Sequence, residues 1–402
     1  YGTMKPAAIR LNYGMQRARG GGNAVRAVAC LPALVGAWRE RAGGMLLSAS
    51  GAFPVDRAAL QRPDLLAGRT PRTVNMTRIG DALAGNADAL SGGGPVKALV
   101  VYNSNPVAVA PDSGSVVAGF ARDDLFTVVL EQFRTDTADY ADYLLPATVQ
   151  IEHWDIHTSY GHTDVLLNKP AVAPRGDARS NAWVFGQLAR RMGFDEPCFS
   201  DDDEALCRSA FAPGAIDFEA LESQGFASVN QPEAPFAEGR FPTPSGRCEF
   251  FSARLAATGQ DGLPDHLPNH EAVGSSTRFP LAMISPPARN FLNSTFVNVT
   301  SLRAIEGEPL LEIHADDASA RGIADGTMVR VFNGRGEHRC RAEVSRRARP
   351  GVVHGLGIWW RKLGVDGTNV NELTSQRLTD IGRAPTFYDC LVEVEPAGAV
   401  DR

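Results

Sequence analysis

Thr135-Asp136-Thr137-Ala138-Asp139-Tyr140-Ala141-Asp142-Tyr143-Leu144-Leu145-Pro146 follows, four residues later, the run Leu125-Phe126-Thr127-Val128-Val129-Leu130. A short β-rich apolar run bounded by polar residues predicts a buried strand. A cluster of short polar side chains, Asp142 among them, therefore falls just past its carboxyl end. In open α/β sheets ligands bind there, because strand ends and the loops after them leave a crevice with free backbone donors. The stretch predicts an α/β sheet with a polar ligand at its edge.

Working outward, residues 96–102 (Val-Lys-Ala-Leu-Val-Val-Tyr) give a second strand that ends in Asn103-Ser104-Asn105-Pro106. Proline forces Asn105 toward extended backbone, and asparagine side chains bond neighbouring amides or an incoming ligand. The strand over 126–130 ends in Glu131-Gln132. Two successive strands thus finish in polar tips, separated by a helix-length segment, which predicts a parallel sheet with one shared ligand edge. The spacing of Ala182, Phe185, Leu188, Ala189 and Met192 predicts a helix over 177–192, capped by Asp177 or Ser180 and stopped by Gly193. An earlier helical stripe over 24–38, interrupted by Pro32, lies between Gly20-Gly21-Gly22 and Gly43-Gly44.

Beyond residue 195 the text turns acidic and irregular, with Asp201-Asp202-Asp203-Glu204, and then Pro- and Gly-dotted. That predicts a segment crossing between domains, with 241–250 as a turn feeding a strand. From about residue 279 the pattern is all-β. Strands are expected over 310–313, 328–332, 338–344 and 351–358, with turn chemistry at Asp325-Gly326 and Asn333-Gly334. Closely spaced short strands suggest a small barrel, which removes sheet edges by closure. The expected organisation is an α/β region over 1–194, a connector over 195–275 and a β-barrel over 276–398.

The chain has 402 residues, 44% of them hydrophobic, which is ample for more than one core. Its net charge of −6 argues against a broad nucleic-acid surface, which needs a basic face. No apolar run approaches the roughly 18 residues of a membrane helix. The six cysteines are scattered without a C-x-x-C pair, which reads as thiols in a reducing compartment and sets the expectation of a cytoplasmic protein. The opening Tyr1-Gly2-Thr3-Met4 reads as a piece that begins mid-protein.

Glu152-His153-Trp154-Asp155-Ile156-His157, with His162 nearby, raises a zinc hydrolase as one reading. Histidines four apart can share a helical face and chelate, yet Thr158, Ser159 and Gly161 make this a loop, and hydrogen bonding of His153 to a crevice ligand is the better functional reading. Neither a G-x-S-x-G elbow nor a G-x-G-x-x-G loop after a strand is present, which disfavours covalent hydrolysis and an ordinary NAD site.

Several motifs occur in order. They are Gly-Met-Gln-Arg at 14–17, Gly43-Gly44, Asn103-x-Asn105-Pro106, Thr135-Asp136-Thr137-Ala138 and Ala141-Asp142-x-Leu144-Leu145-Pro146. Thr243-Pro244-Ser245-Gly246, Asp316-Asp317-Ala318, Gly322-Ile323-Ala324-Asp325-Gly326 and Asn371-Glu372-Leu373-Thr374 follow. The series resembles the molybdopterin oxidoreductases of the dimethyl sulfoxide reductase family, which include formate dehydrogenases, nitrate reductases and thiosulfate reductases.

That resemblance implies a bis-molybdopterin guanine dinucleotide carrying molybdenum or tungsten, gripped between α/β domains and a six-stranded barrel. The family's cofactor contacts map here onto Asn103, Asn105, Glu131, Gln132, Asp142, His153 and Asn181. They continue on Ser285, Arg289, Asn290, Asn293 and Ser294, and on Asn371, Tyr388 and Asp389. Amide and hydroxyl side chains can read pterin and guanine edges, and Arg289 can neutralise pyrophosphate. His153 stands where some members carry lysine, and Asp389 where a cation is often found. The family's [4Fe–4S] cysteines and its metal ligand belong to a part preceding Tyr1, so no metal ligand is assigned in this chain. Implied partners are a small-molecule substrate and an electron-transfer subunit, with no nucleic acid and no membrane span. The same scaffold also hosts non-redox hydratases and transhydroxylases, and a non-catalytic cofactor-binding subunit would fit the same residues.

Overall fold

The computed structural model describes residues 1–398. Two short parallel strands, β1 (Ala8–Arg10) and β2 (Gly44–Leu46), flank the helix Gly21–Leu34. The two glycine clusters around that helix serve packing. At Gly44 the backbone is left-handed (φ +97°), and an added Cβ would overlap the Trp38 ring. At the helix start, the Asp380 carboxylate accepts from the N–H groups of Gly22 (2.8 Å) and Asn23 (2.9 Å). A carboxylate there satisfies free helical donors and suits the positive end of the helix dipole.

The predicted parallel sheet is present. Its strands β3 (Ala98–Tyr102), β4 (Phe126–Glu131) and β5 (Tyr143–Pro146) run side by side in that order. Alternation puts Val101 and Val129 against the helices Ile79–Leu83, Pro106–Val109 and Ser113–Phe120, where they pack with Leu83, Val107, Val116 and Phe120. The crossover between β3 and β4 is helical, as parallel pairing requires. The helix expected over 177–192 spans Asn181–Arg191, and Ser180 is its cap, accepting from Trp183 N–H.

An antiparallel sheet follows, made of β6 (Asp155–His157), β7 (Asp164–Asn168) and β8 (Phe226–Ser228). It buries Val165 and Leu221 with Phe53 and Phe211. The stretch read as a connector thus supplies β8 and the helices Asp203–Ser209 and Phe218–Gln224 to a packed unit. Residues 241–250 form the expected turn, closed by Phe241 N–H on the Gly246 carbonyl (3.0 Å), but no strand follows it.

The C-terminal part is a closed six-stranded barrel with strand order β10-β12-β11-β14-β9-β13. The strands are β9 (Leu281–Ile284), β10 (Leu310–Ile313), β11 (Met328–Phe332), β12 (Glu337–Val344), β13 (Val352–Leu356) and β14 (Leu391–Pro396). Period-two alternation points Met283, Leu311, Ile313, Val329, Val331, Cys340, Val353 and Val392 inward. Among the described residues no helix is long and apolar enough to cross a membrane.

Barrel and α/β unit are fastened by polar contacts. The buried Asp136 carboxylate accepts the backbone N–H groups of Arg361 (2.7 Å) and Lys362 (3.2 Å). Lys362 Nζ reaches the Thr135 carbonyl (3.0 Å) and Asp139 (2.7 Å). The Arg361 guanidinium bonds Ser113 Oγ (3.1 Å) and pairs with Glu372. Asn369 and Asn371 both donate to the Ala108 carbonyl (3.0 and 2.9 Å). Burial raises the Asp136 pKa, and the two amides pull it back.

Two stability outcomes follow. Gly68 shares a left-handed backbone (φ +79°) but faces open space, so Gly68→Ala should cost about 1–2 kcal/mol. Gly44→Ala should cost about 1–3 kcal/mol more, from the Trp38 clash, in urea titrations. The second concerns His338, buried in β12 with Nδ1 3.0 Å from Thr368 Oγ1. Burial pushes its pKa from 6.5 down to about 4. The unfolded chain therefore takes up the proton first, and stability falls as pH drops from about 6.5 toward 4. His338→Gln should flatten that slope in urea titrations across this window.

Candidate functional site

At the carboxyl edge of β3 and β4, between the antiparallel sheet and the barrel loop 294–299, lies a cleft of about 1060 Å³. The strand tips build one wall. Thr137 holds Asn105, whose Oδ1 accepts from the Thr137 N–H (3.1 Å) and Oγ1 (2.8 Å). This leaves Asn105 Nδ2 buried without a partner. Asn181 Nδ2 donates to Asn103 Oδ1 (2.9 Å), which leaves Asn181 Oδ1 equally unpartnered. Buried polar atoms without partners are rare in native folds, so each requires an explanation. Here one offers donors and the other an acceptor, and both residues line the same cleft.

Gln132 Nε2 donates to the Thr148 carbonyl (2.9 Å), and Thr148 Oγ1 lies 2.8 Å from His153 Nδ1. Burial raises the Glu131 pKa although its carboxylate accepts from the Gln132 N–H (2.8 Å). Asp155 and Asp203 also line the cleft, and among the described residues no Lys or Arg does. The arrangement suits the edge of a planar, nitrogen-rich ligand, which presents both donors and acceptors. Among the described residues no three His, Cys, Asp or Glu side chains converge on a point that could hold a metal ion.

Of the residues singled out in the sequence, Asn103, Asn105, Glu131, Gln132, His153, Asn181 and Ser294 line this cleft. Others lie elsewhere. The Asp142 carboxylate accepts Thr127 N–H (2.7 Å) near the start of β4, so it registers strands instead of meeting a ligand at their tips. Asn371 is consumed by the bond to Ala108, and its own Oδ1 accepts from Thr374 (3.1 Å). Asn290 bonds Glu306 through its N–H (2.7 Å) and Nδ2 (2.6 Å). Ser285, Arg289 and Asn293 are off the cleft lining, the last two exposed. Tyr388 and Asp389 sit against residues 14–19, where Asp389 Oδ2 accepts from the N–H groups of Arg19 and His270 (3.0 Å each) while Oδ1 is buried and unpartnered.

The Thr135–Asp139 cluster is likewise occupied, supporting Asn105 on one side and the barrel on the other. Sequence reasoning missed Thr148, Asp155, Asp203 and Phe296, all on the cleft. Asp203 sits in an acidic run that reads as solvated linker, yet it accepts a hydrogen bond from Ser180 (2.8 Å).

Comparison with known proteins agrees with this architecture. The family model described as "Molybdopterin oxidoreductase" matches residues 4–191, and "Molydopterin dinucleotide binding domain" matches residues 281–391, the barrel. The probable oxidoreductase YoaE of Bacillus subtilis is 40% identical over 98% of this chain and 57% of its own length. Dimethyl sulfoxide reductase DmsA of Escherichia coli is 28% identical over 98% of this chain and 54% of its own. Among solved structures, acetylene hydratase from Pelobacter acetylenicus superposes with a TM-score of 0.67 at 22% identity, covering 79% of this chain and 46% of that one, which shows a shared fold. The chain thus spans about half the length of the relatives it matches. Two matching family models, an α/β unit joined to a closed barrel and relatives aligned along nearly the whole chain place this protein in the molybdopterin oxidoreductase family.

Proposed function

We propose that this chain holds a molybdopterin guanine dinucleotide, in the bis form with molybdenum or tungsten, as part of an enzyme that transfers oxygen atoms or hydride equivalents. The observation that carries the reading is the pair of buried, unpartnered amide atoms, Asn105 Nδ2 and Asn181 Oδ1, on one cleft wall. The donor set fits: a heteroaromatic edge supplies an acceptor to the first and a donor to the second. When bound, the cofactor supplies the redox or Lewis-acid chemistry of its metal.

The residues of this chain orient and bind. Thr137 and Asn103 fix the two amides, so their free atoms point one way before any ligand arrives. Gln132 and the Thr148–His153 pair extend the polar wall. A partly buried Glu131 can accept from ring N–H groups. On the barrel side Ser294 shares the cleft, and the exposed Arg289 with Ser285, Asn290 and Asn293 lies on the adjoining loop, where a cation can meet pyrophosphate. Tyr388 and Asp389 form a separate patch against 14–19, fitting a second nucleotide arm. Asn371 and Asp142 act through alignment of the scaffold and not by touching the ligand. A small-molecule substrate, an electron-transfer subunit and a [4Fe–4S] centre outside these residues complete the proposed enzyme.

The test is chemical. Protein matured in a molybdenum-replete host, oxidised in acid, should release a fluorescent pterin derivative and GMP; a matured sample yielding neither overturns the proposal. Asn105→Ala and Asn181→Ala should each lower retained GMP by about ten-fold, the equivalent of one hydrogen bond of about 1.4 kcal/mol. Asp142→Ala should instead lower the thermal midpoint and leave GMP per folded protein unchanged.

A further inference from the structure

The barrel-side lip of the cleft contains a conformational anomaly. Phe296 lines the cleft with its backbone in the left-handed region (φ +76°) and its residue surface 44% exposed. A bulky side chain is disfavoured there, and glycine or asparagine would occupy the position at lower cost. Its surroundings impose the conformation. Leu292 and Thr295 exchange backbone hydrogen bonds (3.1 and 2.9 Å), the Ser294 carbonyl accepts from Trp360 Nε1 (2.7 Å), and the next residue, Val297, is fully buried. Arg303 clamps the Val297 carbonyl (2.9 Å). Core filling does not account for the ring, because nearly half of the residue is open. Strain held by a rigid frame at the lip of a cavity points from the outlier to a use.

We infer that Phe296 is the stacking shelf for the guanine ring of the cleft's ligand. The inference rests on the nucleotide reading above and adds the residue that meets the ring's face. The strand tips that line the same cleft offer edge-reading groups, Asn105, Asn181 and Glu131, and no Lys or Arg lines the cleft among the described residues. A ring read at its edge by amides needs an apolar surface over its face, and aromatic side chains supply it whatever the base. Phe296 is thus a ligand-contacting residue.

The full chain, titrated with GDP by calorimetry and melted without ligand, tests this. Phe296→Gly should raise the melting temperature of the ligand-free chain, since glycine is at ease at that φ, yet weaken GDP binding about ten-fold or more. Phe296→Tyr should hold affinity within about two-fold of wild type, and Phe296→Leu, apolar but not flat, should bind as weakly as glycine. Wild-type binding that glycine and leucine leave unchanged overturns the shelf and spares the site. A wild-type chain that binds no GDP, while the folded protein melts cooperatively, overturns the nucleotide reading and the shelf with it.

Discussion

The geometry of the cleft hangs on one carboxylate. Asp136 leaves water to accept two backbone N–H groups from the segment after the barrel's tryptophans. Burying a carboxylate is costly unless hydrogen bonds compensate, and amide donors do so without bringing a second full charge to the same oxygens. Because the donors are main chain, the contact fixes the path of residues 360–362 and not merely one rotamer. Trp360 follows from that path, and through its indole the loop that carries Ser294 and Phe296. The two walls of the cleft come from units far apart in sequence, and this latch sets their spacing.

The polar economy of the cleft follows the same logic. Thr137, one residue along, spends its hydroxyl on Asn105, and Asn103 spends its carbonyl on Asn181. Each bond fixes the orientation of an amide and leaves one of its polar atoms, Asn105 Nδ2 or Asn181 Oδ1, without a partner. A site built so loses little orientational freedom on binding, which is how preorganisation contributes to affinity. The shortage of cations in the wall means that recognition there is directional more than coulombic.

Much of this was legible in the residues. Periodicity located β3, β4, the helix Asn181–Arg191 and the barrel strands β10 to β13, because each is either a β-branched run or an amphipathic repeat bounded by turn chemistry, whereas β9 and β14 went unread. The strand-tip asparagines and Gln132 were legible for the same reason: carboxyl ends of parallel strands face a crevice. What the residues did not disclose were partners distant in sequence. Asp142 looks like a ligand contact until Thr127 is seen to occupy it, and Asn371 until Ala108 is. Asp203 reads as linker because its partner Ser180 lies 23 residues away. A left-handed Phe296 has no sequence signature, since the anomaly resides in a dihedral angle.

The start of the helix Gly21–Leu34 has a bearing on how this polypeptide is made. Its first free amides are satisfied by Asp380, at a sequence separation of up to 358 residues. At the ribosome's pace of about 5–20 residues per second, that helix waits roughly 20–70 s for its cap to emerge. Contacts of such long range are entropically expensive to close and slow to form. Biosynthesis therefore passes through a nascent stage in which this helix is exposed without its acidic clasp.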